Sequence, residues 1–228
     1  MKEIYEQSLC QLESGNFAEG IKLLQEAADA GLADAQYKLA MCYLEGQGVE
    51  CDEAKAALLL FDAGVQGHAA AQREMGRCYA EGRGIEHSDV ESFKWYRAAA
   101  RGGNVEAQYE LGNCYHSGVG TEVNIDLAAK CYGAAAEGGY DLAQIAYGHC
   151  YALGEGVVAD PKMAFRWYLD AAHQWKSDYA MFIVGSCYEQ GKGVERDVER
   201  ARKWYSRAAT DGYEDAIHAL HDLEGMLV

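Results

Sequence analysis

A short phrase recurs along this chain at nearly constant spacing, and that period constrains the fold more than any single motif. It reads AQYKLAMCYLEGQGV from Ala35, AQREMGRCYAEGRGI from Ala71, AQYELGNCYHSGVG from Ala107, AQIAYGHCYALGEGV from Ala143 and AMFIVGSCYEQGKGV from Ala180, with starts 36 residues apart and the last 37. A second phrase alternates with it: DEAKAALLLFDAGVQG, DVESFKWYRAAARGG, IDLAAKCYGAAAEGG, KMAFRWYLDAAHQW and DVERARKWYSRAATDG. Modules in a row bury their apolar faces against neighbours, so each residue takes its meaning from its slot.

The first phrase spaces small and apolar residues as one helix face, for example Ala107, Leu111, Cys114 and Tyr115, and stops at a glycine suited to a left-handed C-cap. The second opens near Asp52, Asp89, Asn124, Asp160 or Asp197, all N-cap residue types, and ends in paired alanines. Each module is therefore two helices, A and B, with alanines allowing close approach and aromatic pairs such as Trp95 with Tyr96 filling the space between modules. A single proline against 26 glycines agrees with an all-α chain joined by glycine turns.

The combined pattern, LGxCYxxGxGV followed by DxxxAxxWYxxAA, resembles the Sel1-like repeat, a relative of the tetratricopeptide repeat with a longer turn between its helices. The resemblance implies a right-handed α/α superhelical solenoid spanning 1–228. It would comprise a shorter tetratricopeptide-like unit at 1–31, five Sel1-like repeats over 32–212, and a closing helix at 213–227. Cys131 and Leu59 stand where the pattern has tryptophan. Near AAHQWKSDY, Trp175 replaces a glycine and one residue is inserted, which makes this the expected irregular joint.

Eight cysteines are distributed by this period. Cys42, Cys78, Cys114, Cys150 and Cys187 share one slot of helix A, and equivalent slots in a stack lie about 16–20 Å apart. That separation exceeds the ~7 Å Cα limit of a disulfide and the ~2.3 Å of a zinc thiolate, so they read as compact core fillers. An exported, cysteine-rich branch of the Sel1-like family joins helices A and B by disulfides. Here only Cys131 offers a second cysteine in that manner, to Cys114 or Cys150, while Cys10 and Cys51 have no regular mate. No cofactor or metal is expected. The GQG, GRG, GVG, GEG and GKG turns follow helices and lack the lysine-bearing start of a phosphate loop. Asp215, His218 and Asp222 share a helix face, with His221 adjacent, and read as the polar face of the closing helix. No order of nucleophile, base and acid is present, and the chain is not expected to be an enzyme.

The charge bounds the partners. Formal net charge is −16, and residues 1–66 hold 4 basic against 12 acidic side chains, half of the excess in under a third of the length. Nucleic acid and anionic membranes both demand a cationic face and are poor partners, so no nucleic acid and no membrane insertion are expected. No segment has the apolar length to cross a bilayer, and the first residues lack the apolar core of a signal peptide, so a cytoplasmic location is expected.

What remains is a surface. Tetratricopeptide proteins line their concave face with helix A, and the matching slots here are Tyr5, Leu9 and Leu12; Tyr37, Met41 and Leu44; Arg73, Arg77 and Glu81; Tyr109, Asn113 and His116; Ile145, His149 and Leu153; and Phe182, Ser186 and Glu189. Where these slots face solvent, this apolar, aromatic lining suits a partner polypeptide, with Tyr37, Met41, Tyr109 and Phe182 as anchors; the alternative is that the superhelix's own curvature covers several of them. Arg73 and Arg77, one turn apart, have two readings: with Asn113 they would hold a partner's carboxylate, or they are ordinarily paired with Glu74, Glu81 or Glu110. The expected function is a non-catalytic interaction scaffold or adaptor. The alternative is an acidic inhibitor, of immunity type, that neutralises a basic toxin or enzyme.

Overall fold

The computed structural model describes residues 1–175 and 177–225. Among them thirteen α-helices and one short 3-10 turn (Ala209–Asp211) follow one another, with no strand. They are α1 (Lys2–Glu13), α2 (Phe17–Asp29), α3 (Ala33–Glu45), α4 (Glu53–Val65), α5 (Ala69–Glu81), α6 (Asp89–Arg101) and α7 (Val105–Ser117), then α8 (Ile125–Glu137), α9 (Asp141–Leu153), α10 (Pro161–Trp175), α11 (Asp178–Gln190), α12 (Val198–Ala208) and α13 (Glu214–Gly225). The helices gather into two compact units, Met1–Val123 and Asn124–Val228. Inside each unit every helix packs on the one before it in the chain, as stacked modules require. No helix of the described residues is long and apolar enough to cross a membrane.

Local chemistry sets the ends of these helices. Asp52, Asn124 and Asp197 each accept a backbone N–H from three residues on, and Asp160 accepts from Lys162 and Met163. In α6 that role belongs to Ser88, whose Oγ accepts from Glu91, and Asp89 sits in the first turn, where its charge meets the positive end of the helix dipole. Helix α1 ends without a left-handed cap and reaches α2 across only Ser14, Gly15 and Asn16, the tighter turn expected of the first unit.

The two glycines of each longer turn have different duties. The first, such as Gly82 at φ +70°, is the left-handed cap of its helix, and a Cβ there would make only ordinary contacts, the nearest to His87 at 3.5 Å. The second, such as Gly84 at φ +67°, lies against the preceding module: a Cβ built on it would fall on the carbonyl of Glu53, the first residue of α4. Gly120 stands in the same way on Asp89, Gly156 on Ile125 and Gly193 on Pro161. The turn thus fits over the start of the previous helix B. A second link is made by the glutamine of the AQ phrase, which donates to a carbonyl eight residues back: Gln36 to Ala28 at 3.3 Å, Gln72 to Gly64 at 2.8 Å and Gln144 to Ala136 at 3.5 Å.

The five aligned thiols are buried, as their filler role requires, alongside Leu24, Leu39, Leu60, Met75 and Val184. The paired alanines, including Ala27 with Ala28 and Ala171 with Ala172, are buried where helices meet. The irregular joint expected next to Trp175 falls on Lys176, outside the described residues, and α10 is two residues longer than the 13-residue helix that precedes it.

Candidate functional site

In the first unit, Tyr5, Leu9, Tyr37, Met41, Arg73, Arg77, Tyr109 and Asn113 are half-buried on α1, α3, α5 and α7, and His116 and Glu81 are exposed. Two of the expected surface residues are core instead. Leu12 fills the space that Gly20 leaves open on α2, and Leu44 packs with Ala40, Leu60, Met75 and Cys78. In the second unit Ile145 is likewise buried, in a cluster with Tyr168 and Val184.

The arginines take the second of their two readings and pair within the chain. Glu74, one residue from Arg73, is 1% exposed. Its two carboxylate oxygens lie 2.6 Å from Arg73 and 2.6 Å from Arg77, and the other Arg73 nitrogen reaches Glu106 at 2.9 Å. Of the two readings, pairing with Glu74 is the one found, and the clamp for a partner's carboxylate is closed, because a buried anion requires its counter-charges close by. Tyr37 stacks on His68 with ring centroids 4.8 Å apart, and burial pushes its phenol up.

In the second unit the expected residues converge. His149 and Leu153 of α9, Ala164 and Tyr168 of α10, and Phe182, Ile183, Ser186 and Cys187 of α11 line a largely apolar cleft of about 400 Å³. Phe182 and Ser186 are also in the wall of a second cleft, of about 310 Å³, with Glu189, Tyr205, Asp215, His218 and Asp222. One cleft is largely apolar, with Lys192 in its wall, and the other carries three carboxylates. An aromatic set holds the shared wall: Phe182 lies 5.5 Å from Tyr205 and 5.6 Å from Tyr213 between ring centroids. Tyr205 donates to Glu189 at 2.6 Å, and burial together with that carboxylate pushes its phenol up.

His149 sits between two hydroxyls, with Nδ1 3.0 Å from Tyr168 and Nε2 3.4 Å from Tyr179. Burial lowers its pKa and favours the neutral ring. Cys187 lines the cleft, but burial pushes its thiol up to about 11, the opposite of what a nucleophile needs. Asp215, His218 and Asp222 do share the second cleft, and among the described residues no group of three such side chains is placed to hold a metal ion.

Tyr168 and Tyr205 were hidden from slot reasoning because they belong to helix B. Their signal was present in the recurring WY pair and in the glycine two residues before four of the five aligned cysteines, Cys42 being preceded by Ala40. Gly185 has no side chain where the Tyr205 ring passes, so a Cβ there would meet the ring at 2.6 Å. The tyrosine thereby reaches across to the helix A face.

The thiols give a direct check of this burial. Burial raises Cys78, Cys150 and Cys187 to about 11, which leaves about 100-fold less thiolate than an ordinary thiol at neutral pH, whereas Cys10 and Cys51 are exposed. Iodoacetamide on the native protein, followed by peptide mass spectrometry, is expected to label Cys10 and Cys51 first. The three buried thiols should react only in denaturant.

Helix pairs in series, each helix packed on the one before it within its unit, define an α/α repeat protein of the solenoid class. The Sel1 repeat family model matches residues 3–32, 33–61, 69–104, 105–140, 141–174 and 178–213. The chain belongs to the Sel1 repeat family, and its shorter first unit counts as a sixth repeat. Among solved structures it is similar to a protective antigen of uropathogenic Escherichia coli displaying an SLR fold, at 31% identity and a TM-score of 0.90 over 96% of this chain. The chain spans 48% of that protein's length. A Sel1 repeat protein from Oxalobacter formigenes is 30% identical, with a TM-score of 0.86 over 95% of this chain and 86% of its own. An immunity protein from Pseudomonas aeruginosa shares the fold at 20% identity and a TM-score of 0.54, over 92% of this chain and 82% of its own. No curated protein matches the chain.

Proposed function

We propose that the chain is a non-catalytic interaction module that binds an extended segment of another protein across the two clefts of its second unit. The observation that carries this reading is the shared wall of Phe182 and Ser186 between an apolar cleft and one bearing Glu189, Asp215 and Asp222. An apolar side chain of the segment enters the first cleft and a nearby lysine or arginine enters the second, where it meets carboxylates. Aromatic side chains in half-buried pockets are the usual anchors of such contacts.

A peptide array probed with the purified chain tests this. Binding peptides are expected to share an aromatic or aliphatic residue close to a basic one. Phe182→Ala should weaken the best peptide by about 2 kcal/mol or more, some 30-fold, with unchanged circular dichroism. Asp222→Asn should weaken it less and reduce its salt dependence. Binding untouched by both changes rejects the clefts as the site.

The formal charge of −16 supports a second reading, in which the chain masks a basic toxin or enzyme. The likeness to an immunity protein agrees with that at the level of fold. Association would then slow steeply with salt, as steered encounters do.

A further inference from the structure

The repeat supplies its own control for the outer face of helix B. Leu58 of α4 occupies the slot that holds Lys22, Lys94, Lys130, Arg166 and Lys203 in the other modules. In the third module Phe61 corresponds to Arg97 and Val65 to Arg101. Leu58, Phe61 and Val65 follow one another along one side of α4 and are 68%, 45% and 61% exposed. An apolar stripe of three large side chains, on a helix whose siblings all carry a cation in the Leu58 slot and whose neighbour α6 carries cations in all three, marks a contact face.

The flanking helices indicate what covers it. Gln25 of α2 borders the same shallow depression as Leu58, and the Phe61 ring lies 5.8 Å from Trp95 of α6, so α2 and α6 flank α4 on opposite sides. The exposed end of α2 is acidic, with Glu26 and Asp29, and Asp62 of α4 follows Phe61 on the side away from α6. The corresponding end of α6 is basic, with Arg97 and Arg101. Acid, apolar and base thus run in order across three helices that point the same way.

We infer that this face binds a second copy of the chain about a two-fold axis parallel to these helices. That rotation lays the two α4 stripes on each other and sets α2 of one protomer opposite α6 of its partner, so that acid meets base at both edges. Opposition of like edges would follow from any two-fold axis across the helices. The net negative charge of each chain does not prevent the contact, because charges beyond about 8 Å are largely screened at physiological salt and the facing pairs are close.

Sedimentation velocity on the full chain over a range of concentrations tests the proposal. The wild type is expected to show a reversible monomer–dimer equilibrium. Leu58→Lys with Phe61→Arg, which installs residues that sibling helices carry, should weaken the dimer by at least about 100-fold. Asp29→Arg and Arg101→Asp should each weaken it by about tenfold, and their combination should return it close to the wild type. Circular dichroism of each variant verifies the fold. A wild type that stays monomeric overturns the proposal and leaves the stripe to a different protein. A dimer that survives the Leu58 and Phe61 changes, or charge reversals that do not compensate, overturns it equally.

Discussion

Replacing Arg73 and Arg77 together by leucine is expected to destabilise the first unit by about 3–5 kcal/mol, although both arginines are partly exposed and lie on the surface expected for binding. The cost arises at Glu74. Its carboxylate is buried and held at 2.6 Å by each guanidinium, so removing both leaves an uncompensated anion in the core. A third change, Glu74→Met, should recover most of the loss, because a well-packed apolar side chain of similar length carries no charge to desolvate. Urea unfolding of the wild type, the double and the triple variant, followed by circular dichroism, measures this. A double variant as stable as the wild type would mean that the carboxylate does not depend on these partners.

Gly84→Ala is expected to cost about 3–4 kcal/mol, and Gly82→Ala, two residues away in the same turn, only about 1–2 kcal/mol. Both positions have positive φ, so both substitutions pay for a left-handed alanine. Only at Gly84 does the added methyl land on backbone, the Glu53 carbonyl of the preceding module, which cannot swing aside as a side chain can. Thermal unfolding of the two single variants separates the conformational cost from the steric one. Equal losses would show that the second glycine serves φ alone.

The helix pairs were legible because the period repeats each cue several times: cap glycines, buried thiols and alanine pairs fall at matching positions, and the structure places them as the spacing requires. The cap of α6 was displaced by one residue because Ser88 and Asp89 are both good N-cap types and only the backbone distinguishes them. The surface was harder to read. The slot of Glu74 holds Lys38, Glu110, Ala146 and Ile183 in other modules, so nothing in the pattern announces a buried anion. The third slot of each expected triplet is buried at Leu12 and Leu44 but exposed at His116 and Leu153. Whether it is covered depends on the neighbouring helix, as with Gly20 beneath Leu12, and that information lies outside the slot. Tyr168 and Tyr205, which complete the clefts, reach them from helix B through the gaps left by glycine, a three-dimensional relation that a one-dimensional period leaves out.

The fit of each second turn glycine over the start of the preceding helix B has an evolutionary corollary. Four of the five joints, at Gly84, Gly120, Gly156 and Gly193, reproduce the same backbone contact, so excising or duplicating one complete module among them would regenerate an ordinary joint at the splice. A gain or loss of a few residues inside a module would instead misalign the glycine and its seat. Genes for chains of this kind should therefore vary in length by multiples of the module, with intermediate lengths selected against.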